Sequence, residues 1–563
     1  MLHLVTRHGC LLTCAIACLS TTVVSPALAA DVSPASEASS SPRAATRLTY
    51  DATAWLEEPD LSEVGAPSET ADSPDRFISA ISEKNFDRDA CDDCVGKSKD
   101  SCDGESCGGG GGGGAGGKGK KDPSATAYKP LFYDNDFSYL VRSRTESPYL
   151  TDLAKRVPVG SRLTIDVGGE YRLRNHNENN MGLNKLNGLD NSLLLQRTRL
   201  YLNANFGNAF RFYSEMIDAT SAYEDLTPRA IDENRADFIN LFGDAVLWRG
   251  ENGSLTARGG RQELLYGAQR LVSPLDWSNT RRTFDGAKMF WRSEKWSVDG
   301  FWTRPVPFGQ HVSNDHNFDH PDLSREFFGL YATRKSGKKS GLDLYYLRLA
   351  EYDGQIDFDA NTFGARWWGN RGDWLWEIEG GYQFGDVGPL DRSAGFYTIG
   401  LGHAFSRVCW TPTLWAYYDW ASGDSDPTDG DNNTFNQLFP LGHKYLGYMD
   451  LVGRQNIESW NFLATLQPHE RVRLLAWWYI FHLDESRDAL YNSGGAPIRV
   501  DPTGAAGTDV GEELDLTVQV TVTPRVGILF GYSHFFAGEF VANTSPFVQN
   551  DADFYYTQLT TRF

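Results

Sequence analysis

The chain contains 563 residues, of which 13% are aromatic and 56 are glycine, and its mean hydropathy is −0.43. The formal net charge of −21 disfavours nucleic acid as a partner and argues against a basic patch for binding a membrane surface. Beyond the N-terminal leader no segment has the roughly 20 apolar residues of a membrane-spanning helix, so the composition favours a transmembrane β-barrel or a soluble all-β protein.

The N-terminus has the pattern of a secretory leader. Basic residues precede an apolar run from Cys10 to Val24, and the small-x-small cleavage site Ala27-Leu28-Ala29 follows. We therefore predict a signal peptide over residues 1–30. A lipoprotein leader cut before Cys18 is the alternative.

Residues 31–160 lack strong periodicity. Ser, Ala, Asp and Pro dominate the first part, and a glycine run fills Gly108 to Gly114. Such a segment buries too little apolar surface to offset the entropy lost on ordering. We predict a flexible periplasmic arm, with a periplasmic protein as a candidate partner.

Four cysteines of this arm, Cys91, Cys94, Cys102 and Cys107, form one cluster. In an oxidising periplasm two disulfides are favoured, and the spacing does not give their connectivity. There are two alternatives. The opening C-x2-C would suit metal binding, and the cysteines could also pair with those of another protein.

From Arg162 onwards the period of the sequence changes to two. Between Leu163 and Arg174 the odd positions are apolar or glycine and the even positions are polar or glycine, so one face meets lipid and the other meets water. Residues 161–563 are therefore predicted to be all-β, a single antiparallel transmembrane β-barrel of about 18 strands. The predicted strands lie near 162–174, 193–207, 209–219, 237–248, 254–266, 283–292, 296–305, 326–334, 341–350, 362–369, 373–384, 392–406, 411–421, 458–467, 471–483, 510–523, 525–537 and 551–563.

The predicted connections are sorted by length. Links from an even to an odd strand are short, as at Gly207-Asn208, whereas nearly every odd-to-even link is long, up to the stretch from Ser422 to Ile457. This sorting is the outer-membrane arrangement, with both termini in the periplasm. The last strand ends on Phe563, a terminal aromatic that resembles the signal read by the barrel-assembly machinery. Its pairing with the first strand would leave no open edge in the outer-membrane lipid.

A barrel of this size encloses an aqueous channel, so the predicted function is transport. The sequence contains no G-x-S-x-G elbow, no H-E-x-x-H and no phosphate-binding P-loop. We therefore predict that the protein is not an enzyme and that it needs no cofactor for its activity.

Arginines concentrate on the predicted lumenal face. Strand parity turns four of them inward on the first two strands and one more inward on the fifth, and three others lie in a long loop that either folds into the lumen or caps the external rim. Because a guanidinium stays charged and donates two parallel hydrogen bonds to a carboxylate, the cluster predicts anion selectivity. The alternative is that these arginines pair with Asp166, Glu170 and Glu215 to stiffen the wall. The predicted pore-lining residues are Arg172, Arg174, Arg197, Arg199, Arg258, Arg270, Arg281 and Arg282.

The long loop after Ser422 is acidic. Asp424, Asp426, Asp429 and Asp431 are candidate oxygen ligands for calcium, although their spacing departs from that of an EF-hand loop. A solvated acidic loop without a metal is the alternative.

Four long motifs lie in the barrel region: Gly260–Gly267 followed by Arg270–Leu271, Asp276–Gly286, Tyr418–Asp424 and Phe435–Gly447. They resemble the alginate export family of outer-membrane barrels. The likeness runs from about Arg162 to Phe563 and does not cover the arm. The resemblance implies an eighteen-stranded pore, rich in lumenal arginines, that passes an anionic polyuronate outward.

Two other functions remain open at this stage. One is a general or small-anion porin that kept the barrel and lost the polymer. The other is a structural outer-membrane anchor whose arm tethers something in the periplasm. Conductance separates the anchor from the two channels, and block by polyuronate separates the channels from each other.

Overall fold

The computed structural model describes residues 123–141, 147, 149–309, 318–337, 339–352, 357–546 and 551–563. The predicted signal peptide, the glycine run and the four cysteines of the arm lie outside the described residues.

Eighteen antiparallel strands form one closed sheet, as the alternating sequence predicts. Each predicted strand overlaps an observed one, since the period of two is a local property that a single strand already displays. In chain order, the barrel strands β1 to β18 are Leu163–Asn179, Asn191–Phe206, Phe210–Ala222, Asn234–Gly250, Gly253–Gln262, Thr283–Arg292, Trp296–Val306, Arg325–Lys335, Gly341–Tyr352, Asp357–Arg371, Trp374–Val387, Leu390–Ala404, Thr413–Ala421, Ile457–His469, Val472–His482, Asp509–Thr523, Val526–Ala537 and Ala552–Arg562.

The sheet closes because β1 is paired on both sides. Arg172 lies opposite Arg197 in the register with β2, and Glu170 lies opposite Arg562 in the register with β18. Closure pairs the N–H and C=O groups of the first and last strands, which an open sheet would expose to hydrocarbon.

Side chains alternate between the outer surface and the lumen along each strand. In β2, Leu200 is 52% exposed, whereas Arg197 and Arg199 are each 1% exposed. Large exposed apolar side chains continue around the outer surface, for example Phe363 and Trp367 in β10. An apolar outer band around a polar interior is the surface that a lipid bilayer covers in an outer-membrane barrel.

The two ends of the barrel differ in the length of their connections. Links such as 207–209, 251–252 and 293–295 lie at the end that we call the short-turn end. At the opposite, long-loop end, the links after β9 and β11 are also short, at 353–356 and 388–389, so the predicted sorting of the loops has two exceptions.

Two loops of the long-loop end fold back into the barrel. Loop A comprises residues 263–282 and loop B comprises residues 422–456, and most of their side chains are buried. They meet where the N–H of Ser273 donates to the carbonyl of Phe439 at 2.8 Å, and the N–H of Phe439 donates to the carbonyl of Leu271 at 2.9 Å. Loop B includes the single-turn helix Gly442–Tyr445.

The described residues immediately before the barrel are folded, although the sequence places residues up to 160 in the arm. We call residues 123–155 the pre-barrel segment; it contains the 3-10 turns Pro123–Thr126, Phe132–Asp134, Ser138–Val141 and Leu150–Ala154. Its aromatic residues form an apolar cluster with side chains of the inner wall. Short turns have no extended period, so a search for periodicity does not detect them.

A few minor elements complete the described chain. Val157–Val159 adds a short strand beside β1, Leu490–Tyr491 pairs with Pro497–Arg499, and Glu539–Asn543 forms one helical turn. Among the described residues, no helix is both long enough and apolar enough to cross a membrane.

Candidate functional site: the arginine cluster inside the barrel

Four of the predicted arginines form one group on the inner wall. Arg172 and Arg174 of β1 and Arg197 and Arg199 of β2 point inward because they share the parity of the lumenal face, and all four are buried. Arg172 and Arg197 lie directly opposite each other in the register of the two strands. The structure brings these four arginines together on the inner wall, and their role in lining the pore stays a prediction.

Loop A supplies the carboxylate at the centre of this group, Asp276. Its Oδ1 accepts from Nη2 of Arg197 at 2.6 Å, lies 3.6 Å from Nη1 of Arg199, and forms a short ion pair with Arg281. Burial by itself would raise the pKa of Asp276, but Arg197, Arg281, Arg172 and Arg199 outweigh it and hold that pKa well below its usual range. Asp276 is therefore a stable anion among guanidiniums.

Wall carboxylates compensate two of the arginines. Arg197 donates to Glu170 at 2.8 Å, and Arg199 donates to Glu215 at 2.8 Å. These are the pairs expected if the arginines stiffen the wall. Asp166, the third carboxylate considered for that role, instead accepts from the backbone N–H of Arg156 at 2.7 Å and from Asn203 at 2.9 Å.

Arg172 has different partners. Its guanidinium donates to the backbone carbonyls of Asp276 at 2.5 Å and Trp277 at 3.1 Å, and also to that of Ser278. These carbonyls accept from its two terminal nitrogens, and none of the three acceptors is a carboxylate. Arg172 thus holds the backbone of loop A against the wall.

Arg174 belongs to a stack of rings that links the wall to both inward loops. Its guanidinium carbon lies 3.4 Å from the ring centroid of Trp277 in loop A, and Trp277 stacks on His443 of loop B at 4.0 Å. His443 in turn stacks on Tyr448 at 4.6 Å. Planar contact between a guanidinium and an indole is favourable, so this stack fixes the position of loop A relative to loop B.

Within loop B, His443 and Asp450 form a buried pair 2.9 Å apart. Burial lowers the pKa of His443 well below its ordinary value and raises the pKa of Asp450 well above its own. Both pKa shifts favour the uncharged forms of the two groups, and the state of the pair is tested below.

The remaining predicted arginines divide between the wall and loop A. Arg258 of β5 forms a two-pronged pair with Asp244, with contacts of 2.7 and 2.9 Å. Arg270 crosses to β11, where it donates to Glu377 at 2.9 Å and Glu379 at 2.8 Å. Arg281 joins the cluster around Asp276, and Arg282 donates to the carbonyls of Ser273 and Pro440.

All three arginines of loop A are therefore folded into the barrel, which decides between the two positions that the sequence left open. Each is buried. Arg270 pairs with the wall, Arg282 donates to loop A and to loop B, and Arg281 pairs with carboxylates of loop A itself. A loop that only capped the external rim would leave these long charged side chains in solvent. Whether the eight arginines line an open passage stays a prediction.

The candidate calcium ligands are not gathered around one point. The N–H of Asp426 donates to Asp424 at 3.3 Å and the N–H of Asp431 donates to Asp429 at 2.9 Å, so the carboxylates close turns of their own loop. Across the part of the chain described, no three His, Cys, Asp or Glu side chains are placed to hold a metal ion. Calcium binding here remains an untested prediction.

Sequence reasoning missed the residues that organise the cluster, above all Asp276 and Trp277. Both lie in one of the motifs that carry the family resemblance, and that was the signal available for them. Sequence reasoning also did not identify Glu377 and Glu379 as partners of Arg270, because these residues are more than a hundred positions away along the chain.

The closed eighteen-stranded sheet, its apolar outer band and its charged interior define an outer-membrane β-barrel channel. The family model described as "Alginate export" matches residues 163–554, well over half of the 563 residues. The chain therefore belongs to the alginate export family.

The chain also has a distant similarity to solved structures, with TM-scores below 0.5. OccAB1 of Acinetobacter baumannii is 10% identical, covers 71% of this chain and 96% of its own, and has a TM-score of 0.49. OccD3 (OpdP) of Pseudomonas aeruginosa is 12% identical, with coverages of 70% and 91% and a TM-score of 0.47. OccK8 (OprE) of the same organism is 13% identical, with coverages of 71% and 98% and a TM-score of 0.46. No curated protein matches the chain.

Proposed function

We propose that this barrel passes an anionic polysaccharide, a polyuronate of the alginate type or its oligomers, through a lumen whose recognition groups are arginines. The observation that carries the proposal is the convergence of Arg172, Arg174, Arg197 and Arg199 on one lumenal wall. Guanidiniums suit carboxylate-bearing sugars because their planar forks match carboxylate geometry, and several weak sites in series let a polyanion enter and still leave.

A small-anion porin is the second candidate, and one observation favours it. Glu170, Glu215 and Asp276 already occupy three of the nearby guanidiniums, so the net positive charge of the cluster is smaller than the number of its arginines suggests. A modest net charge is enough to favour chloride over potassium. It offers a polyanion fewer uncompensated partners.

The test is single-channel recording of the refolded protein in a planar bilayer under a salt gradient, first alone and then with added polyuronate. Anion-selective reversal potentials with concentration-dependent block by polyuronate, and no block by dextran of similar size, are expected for the polysaccharide channel. Anion selectivity without block by polyuronate would indicate a small-anion porin. Folded protein without any conductance, in every variant described below, would favour the structural anchor.

The variant Arg172→Gln tests the arginines with the least disturbance. Because its N–H groups go to backbone carbonyls, the substitution leaves no buried carboxylate without a partner, and we expect a lower anion preference and weaker block. Arg348→Gln is the matched control, since Arg348 lies opposite the exposed Phe328 and pairs with Asp359 at 2.5 Å on the outer face. Equal reversal potentials in the two variants would show that Arg172 does not contribute to the anion selectivity.

A further inference from the structure

The pre-barrel segment lies inside the barrel rather than beside it. Phe132 packs edge-on against Tyr201 of β2 with ring centroids 5.9 Å apart, and Tyr133 packs against Tyr213 of β3 and Phe242 of β4 at 5.8 and 5.3 Å. These three wall residues have the parity of the lumenal face and are buried. The segment therefore occupies space that belongs to the lumen.

The same segment covers arginines of the wall. The guanidinium carbon of Arg199 lies 3.9 Å from the ring centroid of Phe132, and that of Arg258 lies 4.5 Å from the ring centroid of Tyr133. Arg211 donates to the backbone carbonyl of Tyr133. Aromatic rings and a carbonyl thus occupy the positions at which a passing anion would meet these guanidiniums.

The segment also reaches loop A. The hydroxyl of Tyr133 donates to the carbonyl of Glu263 at 3.0 Å, and Arg281 donates to the carbonyl of Pro130 at 3.4 Å. One short stretch of chain therefore contacts the wall and the inward loop that carries Asp276. Its removal would free both surfaces at once.

The way the segment is held allows it to leave without opening the barrel. Its N–H groups close turns within the segment, from Ala127 to Ser124 at 3.2 Å, from Asp134 to Leu131 at 2.8 Å and from Asp136 to Ala127 at 2.8 Å. On the wall side, the contacts described above are all made by side chains, which can part from the segment while the strand ladder stays intact.

The C-terminal end of the segment is its anchor. The ammonium group of Lys155 donates to the carbonyl of Val167 at 2.7 Å, the hydroxyl of Tyr201 at 2.8 Å and the carbonyl of Phe563 at 3.1 Å. Val157–Val159 then pairs with the start of β1. The pre-barrel segment, Lys155 included, could therefore undock while the chain remains fixed at the Val157–Val159 strand.

We propose that residues 123–141 are a displaceable plug, whose withdrawal widens the lumen and uncovers Arg199, Arg211 and Arg258. The plug reduces conductance while docked and raises both conductance and anion preference when it leaves. The inference does not depend on the cargo, since a plug of this size obstructs chloride as well as a sugar acid.

The test compares the full chain with the double variant Phe132→Ala/Tyr133→Ala, which removes the two rings that dock on the wall. In planar bilayers we expect the single-channel conductance to rise at least two-fold and the anion-to-cation permeability ratio to increase. The matched control is Leu150→Ala/Leu153→Ala in the same segment, where Leu150 is 81% exposed; its conductance should equal that of the unmodified protein.

Chymotrypsin reports docking independently of conductance. Tyr128, Phe132, Tyr133 and Phe137 are buried, so the folded full chain should resist cleavage at them and the double variant should be cut at Tyr128 and Phe137. Heat-modifiable mobility on gels confirms that each barrel is folded. A chain lacking residues 123–141 provides the same comparison if the double variant remains docked.

Two results would overturn the plug. One is a variant that is cleaved at these positions, or lacks the residues, and still has the conductance and permeability ratio of the full chain. The other is cleavage of the unmodified segment as fast as that of the double variant. If the full chain does not conduct and the double variant does, the plug is supported. If neither chain conducts, both the plug and the proposed channel function are contradicted.

Discussion

Asp276 and Arg197 lie 2.6 Å apart although one belongs to an inward loop and the other to the second strand of the barrel. The carboxylate is shared with Arg281 and lies close to Arg199, so one loop residue binds several guanidiniums of the cluster. A buried charge is costly unless a partner compensates it, and here the chain supplies the anion. An acidic cargo moving through the lumen would compete with Asp276 for the same groups.

Replacing Asp276 by Asn should loosen loop A and increase anion selectivity. The change removes the shared carboxylate from buried arginines, which costs about 3 kcal/mol of unfolding free energy for a broken buried pair. Urea unfolding of the refolded protein in lipid vesicles measures that loss, and reversal potentials measure the selectivity. Asp359→Asn on the outer face is the control. A variant as stable as this control would mean that the arginines do not depend on Asp276.

The docking of the pre-barrel segment should strengthen as the pH rises from 6 to 9. Burial lowers the pKa of Lys155 to about 7 from an ordinary value of 10.5, although Asp166 opposes the shift. Between these two values the folded state has released a proton that the unfolded state still binds, so stability increases with pH across this window and the gain is absent below pH 7.

Chymotrypsin cleavage within residues 128–137 measures this dependence. We expect several-fold slower cleavage at pH 9 than at pH 6, relative to a peptide standard that corrects for the activity of the protease. In Lys155→Met the dependence should disappear. An unmodified chain whose corrected rate is the same at both pH values would show that Lys155 keeps its proton throughout.

Asp450→Asn should be nearly neutral for stability, whereas Asp450→Ala should not. If the contact with His443 is a neutral hydrogen bond, an amide replaces the protonated carboxyl with little change. Alanine removes the partner of a buried imidazole, which costs about 1–3 kcal/mol. Urea unfolding compares the two variants. Equal, large losses in both would mean that the pair is ionic and needs the carboxylate charge.

Gly447→Ala should destabilise loop B more than Gly430→Ala in the same loop. Both glycines have positive φ, +94° and +100°, so each substitution carries a backbone cost of about 1 kcal/mol. A Cβ at Gly447 would also collide with the carboxylate of Glu513, whereas one at Gly430 meets nothing within 4 Å. Gly447→Ala should therefore lose about 1–3 kcal/mol more unfolding free energy than Gly430→Ala, and this difference measures the overpacking against Glu513. Identical unfolding midpoints would refute a tight approach of loop B to the wall.

Much of the fold follows from the sequence one strand at a time. The alternation of Leu200 and Leu202 with Arg197 and Arg199 is visible in a short window. It correctly assigns the leucines to the outer face of the strand and the arginines to the lumenal face. The eighteen strands were predicted in the same way, because alternation and link length are local quantities. The pairing of the first strand with the last was predicted because an open edge cannot face lipid.

The candidate site was predicted only in part. Strand parity turned four arginines inward, but it could not say what each guanidinium binds. Arg270 and Glu377 are 107 positions apart, and Arg282 and Pro440 are 158 apart. Nor could it detect the pre-barrel segment, whose short turns lack a period and whose aromatic residues are buried only by the wall around them.

The sequence by itself therefore determined the class of protein, the number and facing of the strands, and the presence of an arginine-rich interior. The tertiary structure alone decided that loops A and B fold inward, that Asp276 lies among the arginines, and that residues 123–141 occupy the lumen. The reason is physical: a strand's facing depends on its neighbours along the chain, whereas the partner of a buried charge is chosen by closure of the barrel, which brings distant residues together.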